Sequence, residues 1–297
     1  MNKLILVGII FGFHLSSLGA VAPIKGTWEG ATGQVTSLQG WLERVQPGDI
    51  VVIGENHGLR IHQRQQLEVM QTLRDQGLQI SVGLEFLSYT EQDYVRQYCS
   101  KEITEADFLN LVRWGGLPFD FYRDQANFPH REKGAETLAL NAPRSLTQKV
   151  SKTGLSSLLE TEAKLLPYQF SLGRESYKQR FLESVPHELP PERQQNYFAA
   201  QSIWDDTMAW RAVEFTKNHP DQVLVIVVGE FHVAYGGGLP DRILARRERN
   251  GQQMGQLWTL SQLNSAEQNW AEMQLQILPH PEWGQRADLI LVDEEQN

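Results

Sequence analysis

The run VLVIVVGEFH, residues 223–232, is apolar and β-branched without a break until a Gly-Glu-x-His ending. A strand with one wet face alternates apolar and polar residues. An unbroken run is how a strand buried on both faces reads. The same ending closes a second such run, VVIGENHG at 51–58. Further strand-like runs are Ile50–Ile53, Ile80–Phe86, Leu138–Asn141, Leu257–Leu260 and Leu289–Val292. Amphipathic helix-length patterns lie between them, at Arg60–Gln76, Thr90–Ser100, Thr104–Val112, Ser145–Val150, Pro191–Asn218 and Leu239–Asn250. Strand and helix in repeated alternation predict an α/β fold, a mostly parallel sheet with crossover helices on both faces. Residues 160–190 break that rhythm with Pro167, Gly173, Pro186 and Pro190, and read as a helical insertion, either a flap over the sheet or a linker.

The first 22 residues stand outside this core. Lys3, an apolar stretch from Leu4 to Phe13 and the Ala20-Val21-Ala22 site form a cleavable export signal. The apolar stretch is too short for a bilayer core of roughly 30 Å. Residues 23–297 are then a single domain in an exported, periplasmic protein. No cysteine stands near the cleavage site, so no lipid anchor is expected. Cys99 is the sole cysteine of the chain and reads as a buried thiol. Loss of the signal removes Lys3 and no acid, moving the formal charge from −9 to −10. Nucleic acid is excluded as a partner, since its binding rests on Lys and Arg neutralising phosphate. The basic run Arg242, Arg246, Arg247, Arg249 shares one helix and reads as a solvated face or a partner contact.

Ligands of open α/β sheets bind beyond the carboxyl ends of the strands. Gly54 and Gly229 let the backbone turn there, and Glu55 with His57, and Glu230 with His232, follow at i and i+2 spacing, pointing the same way in extended chain. Glu85 ends the run SVGLEF, where an acid needs a partner. These five are the candidate catalytic residues. His57, His232, Glu55 and Glu230 are also candidate ligands of a divalent metal, with a Glu as general base. A Glu or His at a strand end also serves simply as a cap or a turn acceptor. His62 reads as a solvated helix residue. The aromatic stretch Phe108–Phe128, with Trp114 and Tyr122, is either core or one wall of a flat cofactor site. Tyr235 precedes a glycine run whose amides either cradle an anion or merely open a helix.

GENHG with the HQ and QQ of the next helix, GLEFL, ALNAPRSLTQKVSKTGLSSL and VGEFHVAYGGGLPDRI together resemble the ChaN-like family of haem-binding uptake proteins, in the wider Tiki superfamily, over Gly54 to Arg249. The resemblance implies an exported haem-binding protein of iron acquisition, with cofacial haems at a homodimer interface and an outer-membrane haem or iron receptor as a possible partner. It implies a tyrosine iron ligand, for which Tyr235 and Tyr122 are candidates, with His57 and His232 as further haem-contacting candidates. Superfamily members similar to metal-dependent peptidases and erythromycin-esterase-like enzymes imply an alternative, a metal-dependent hydrolase using both G-E-x-H motifs and Glu85. Such ChaN-like proteins are often lipoproteins, and this chain lacks the cysteine that a lipid would need.

Overall fold

The computed structural model describes residues 24–185, 189–249, 251, 255–266 and 268–295. The export signal lies outside them. Seven strands form one sheet: β1 Gly26–Glu29, β2 Ile50–Glu55, β3 Gln79–Ser88, β4 Thr137–Asn141, β5 Gln222–Gly229, β6 Leu257–Asn264 and β7 Leu289–Asp293. Their order is β1-β7-β6-β2-β5-β3-β4, parallel throughout except for β1, which pairs antiparallel with β7. The expected parallel sheet is therefore present, with β1 as an added edge.

Alternation within the continuous runs explains their composition. Val51, Ile53, Val82, Leu84, Val225 and Val227 point to one face, where they meet Val69, Met70 and Leu73 of the helix Arg60–Asp75. Ile50, Val52, Leu224, Ile226 and Val228 point to the other, against Met208, Ala209 and Ala212 of the helix Pro191–Asn218 and Ile243 of the helix Leu239–Arg249. Both faces are dry, so β2 from Ile50 and β5 from Val223 are apolar up to the sheet's carboxyl rim.

This layering also sets the topological switch. The chain leaves β2 and β3 toward helices on the first face and leaves β5 toward the second. Since β5 lies between β2 and β3, connections diverge on both of its sides, which opens a crevice at its carboxyl end.

Within the insertion, the helix Glu175–Ser184 packs Tyr177 and Phe181 on Phe198 of the long helix Pro191–Asn218 and on Phe231. The basic run clamps this segment. Arg246 grips buried Asp206 through two bonds of 2.8 and 2.7 Å, and Arg242 and Arg249 bond Ser171 and neighbouring carbonyls. The solvated-face expectation for these arginines is thus corrected: Arg246 and Arg247 are buried, and Arg242 and Arg249, nearer the surface, are tied to residues 70 to 80 positions away.

Asp206 is fully buried, so its charge depends on Arg246. Arg246→Leu is expected to cost about 3–5 kcal/mol, the usual penalty for stranding one member of a buried pair. Adding Asp206→Asn should restore much of that loss. Urea denaturation of the three proteins measures both effects.

Candidate functional site

The two Gly-Glu-x-His endings are neighbours. β2 and β5 pair with Gly54 opposite Val228 and Glu55 opposite Gly229. A Cβ on Gly54 would sit 2.4 Å from Glu230 Oε2, and one on Gly229 would sit 2.9 Å from His57 Nε2. Each motif's glycine makes room for the other motif's functional side chain. The backbone itself does not demand glycine there, since Gly229 has φ −62° and Gly54 is not left-handed. The expected role in turning is corrected to one of clearance.

Glu55 is buried and saturated. Its Oε1 accepts from Tyr122 Oη at 2.5 Å and His57 Nδ1 at 2.8 Å, while Oε2 accepts from Gln66 Nε2 at 2.6 Å. Gln66 is itself fixed by Gln125 and Gln262. A carboxylate only accepts, so His57 Nδ1 carries the hydrogen and neutral His57 presents a bare Nε2. Burial pulls the His57 pKa down, but the bond from Glu55 and the charge of Glu85 outweigh it and raise it. Burial pushes the Tyr122 phenol up, and Glu55 pushes it further, so this tyrosine keeps its proton.

Glu85 forms a second cluster beside the first. Its Oε2 accepts from the Gly229 amide at 2.6 Å, and its Oε1 lies 3.3 Å from His232 Nε2. His232 Nδ1 donates to Asp205 Oδ1 at 2.6 Å, and Tyr177 Oη donates to Asp205 Oδ2 at 2.9 Å. With a carboxylate at each ring nitrogen, His232 is an imidazolium. Burial opposes that charge, but Glu85 and Asp205 carry its pKa up to about 10. Burial likewise opposes the charge on Glu85, yet His232 and His57 bring it down to about 2. Both imidazoles therefore act on one carboxylate, and the two histidines share one rim.

Glu230 does not join them. Residues Glu230–His232 form a 3-10 turn, so the same-side rule for extended chain fails. Glu230 turns to Ser261 Oγ at 2.6 Å and Arg286 Nη1 at 2.9 Å, leaving Oε2 against Gly54. Burial raises its pKa despite Arg286. Among the described residues, no three His, Cys, Asp or Glu side chains are placed to hold a metal ion. His62, expected to be solvated, is fully buried, with Nδ1 accepting from the Asn56 amide at 3.0 Å. Cys99 is buried as expected.

The aromatic stretch divides. Phe108 and Phe119 pack with Tyr98 in the core, whereas Trp114 and Tyr122 line a cavity of about 290 Å³ with His57 and Phe86. A larger one of about 600 Å³, sharing Phe86 and Arg144 with it, has Glu85 on its floor. In the glycine run after Tyr235, a Cβ on Gly237 would meet the Tyr177 ring at 2.6 Å and one on Gly238 the His232 carbonyl at 2.8 Å, so close packing explains both glycines. Tyr235 itself is left-handed at φ 60°. Its phenol oxygen accepts from Arg286 Nη2 at 3.2 Å, and its ring meets Trp283 and His280 edge-on. It lines two small cavities, about 190 and 160 Å³, the first with Arg174 and Arg180 and the second with Arg286.

Sequence reasoning missed Asp205, Gln66, Tyr177 and Arg286. Asp205 left a trace in IWDDTMAW, where two acids interrupt an otherwise apolar helix segment.

Fold and site define a doubly wound α/β protein that gathers carboxylates and imidazoles at the switch point of its sheet. Residues 41–243 match the family described as haem-binding uptake, Tiki superfamily, ChaN, and the chain belongs to that family. A solved structure of ChaN from Campylobacter jejuni, described as binding haem cofacially, superposes with a TM-score of 0.64 at 18% identity, covering 91% of this chain and 96% of that one. That likeness establishes the shared fold. An effector domain, RRSP, of a Vibrio vulnificus MARTX toxin aligns at 17% identity over 84% of this chain and 40% of its own, with a TM-score of 0.38. A comparison with curated proteins finds no match.

The Glu85–His232 pair fixes a pH window. Glu85 falls from an ordinary 4.5 to about 2, so its contribution to stability is complete above pH 4.5 and vanishes as pH drops through about 2. His232 rises from 6.5 to about 10, so its contribution is complete below pH 6.5 and is lost as pH climbs through about 10. Denaturation midpoints should decline from pH 6.5 to 10, and His232→Gln should flatten that decline. An equally steep decline in the variant would assign it to other groups.

Proposed function

We propose that this chain is an exported haem-binding protein that serves haem or iron acquisition and carries haem at an interface between two copies. Membership of the haem-binding family supports the ligand. One observation carries the location: of the two candidate tyrosines, Tyr122 is fully buried with its phenol donated to Glu55, whereas Tyr235 lines cavities that Arg174, Arg180 and Arg286 line with it. A phenolate is a hard oxygen ligand suited to Fe(III), and haem held there would supply that iron. Arg286, already on the phenol oxygen, and Arg180, 5.6 Å from its ring, offer countercharge to a phenolate and to propionates. Trp283 and His280 provide flat walls. His232 is held between Glu85 and Asp205 and contributes no free nitrogen.

Support for a second copy comes from size. The cavities beside Tyr235, about 190 and 160 Å³, fall below the roughly 300 Å³ at which pockets enclose a drug-sized ligand. One copy therefore covers only part of a haem, and a facing copy would cover the rest. Export and an outer-membrane receptor as donor or acceptor fit the same reading.

Titration with hemin should give a saturable Soret shift together with dimerisation in sedimentation velocity. Tyr235→Phe should weaken binding at least about tenfold, the scale of a lost charge-assisted contact. Tyr122→Phe should not. The reverse order of effects would move the iron site to the Glu55 cluster.

A second reading, hydrolysis, is favoured by the Glu55–His57 dyad. Its Nδ1 is oriented by a buried carboxylate and its Nε2 faces the crevice, the arrangement of a general base. There it would take a proton from water attacking an ester carbonyl and return it to the departing alkoxide. If so, His57→Ala should lower p-nitrophenyl acetate turnover by about 10²–10⁴-fold, with Glu230→Gln near wild type. Wild-type protein no faster than buffer would end this reading.

A further inference from the structure

We infer that the cleft beyond the carboxyl ends of β3 and β4 binds a small organic anion with a flat apolar body, held by the guanidiniums of Arg113 and Arg144. The inference is independent of the haem reading, and of whether His57 turns the ligand over.

The cleft is about 600 Å³, within the range of small-molecule sites. Its apolar lining includes Phe86, Tyr94, Leu111 and Trp204. Tyr94 and Leu111 are 36% and 41% exposed, so two large hydrophobic side chains face water at this one place. Gathered apolar surface around a concavity is the mark of a ligand site more than of a core.

Two cations stand over that surface without hydrogen-bond partners among the described residues. Arg113 has φ 49°, just past the helix Glu105–Leu111, where the left-handed turn favours glycine. An arginine there accepts strain of about 1–3 kcal/mol, and its side chain lines the cleft. Arg144 is the first residue of the helix Arg144–Thr153, whose N-terminus has no side-chain cap. A positive charge at the positive end of a helix dipole is unfavourable unless an anion joins it.

The acids within the cleft are already engaged. Glu85 is bonded to the Gly229 amide and paired with His232. Glu91 reaches back to the Ser88 amide at 3.0 Å, closing a capping box. The guanidiniums are close enough to pull on the Glu91 carboxyl, which burial pushes up, but neither bonds it. Two cations, an apolar wall and preoccupied acids select for a ligand that brings its own negative charge. The cleft shares no lining residue with either cavity beside Tyr235, so the two sites would fill independently.

The probe is 1-anilinonaphthalene-8-sulfonate, an aromatic monoanion, titrated by fluorescence into the full chain. Its uncharged relative N-phenyl-1-naphthylamine serves as control. Saturable 1:1 binding of the sulfonate is expected, weakened at least about tenfold by Arg113→Gln with Arg144→Gln. The neutral probe should bind wild type and variant alike, and prior saturation with hemin should leave the sulfonate's affinity unchanged. Both arginines are exposed, so the double variant's thermal midpoint should not fall, and Arg144→Gln alone should give an intermediate loss of affinity. Absence of sulfonate binding, equal affinity in the double variant, or displacement by hemin would each overturn the assignment.

Discussion

A single buried imidazolium holds the rim of this protein together. His232 sits between Glu85 on β3 and Asp205 on the long helix, while Glu85 also takes the amide of Gly229 at the end of β5. Two strands and the helix behind them are thereby joined by charge where the sheet's backbone ladder ends. Removing one partner from a buried ionic set typically costs about 3–5 kcal/mol, because the others are left uncompensated. The His57 dyad adjoins this set, since its imidazole fits into space that glycine at 229 leaves free.

Much of this was legible in the chain. Unbroken apolar runs of this length read as strands covered on both sides, and in a parallel sheet two such runs with the same ending bring that ending to one rim. What the pattern could not convey was direction beyond the last strand residue. Glu55 and His57 obey the i, i+2 rule and bond each other; Glu230 and His232 break it, because a 3-10 turn begins at Glu230. Partners distant in sequence were equally hidden. Nothing near His62 announces that it will be buried under the Asn56 amide, and nothing near Arg246 announces Asp206. Strand β1 escaped notice because an edge of four residues, GTWE, carries no apolar run.

The three rim acids first suggested chemistry, since haem binding alone has no need of them. Their contacts narrow that argument. Glu85 neutralises His232, and Glu230 pairs with Arg286, so both have structural employment. Only Glu55 acts through a side chain that reaches the crevice with a free atom, His57 Nε2.

Tyr235 and His57 line separate cavities of the molecule. Arg286 donates to Glu230 through one nitrogen and to the Tyr235 phenol through another. Glu230 fits only because residue 54 lacks a Cβ. A change at Gly54 would therefore be felt first by Glu230, then by Arg286, and last by the tyrosine. The motif copy on β2 thus supports the tyrosine site beyond β5, while glycine in the β5 copy makes space for His57 on β2. The repetition of Gly-Glu-x-His is explained by this exchange, in which each copy supplies clearance for what the other positions.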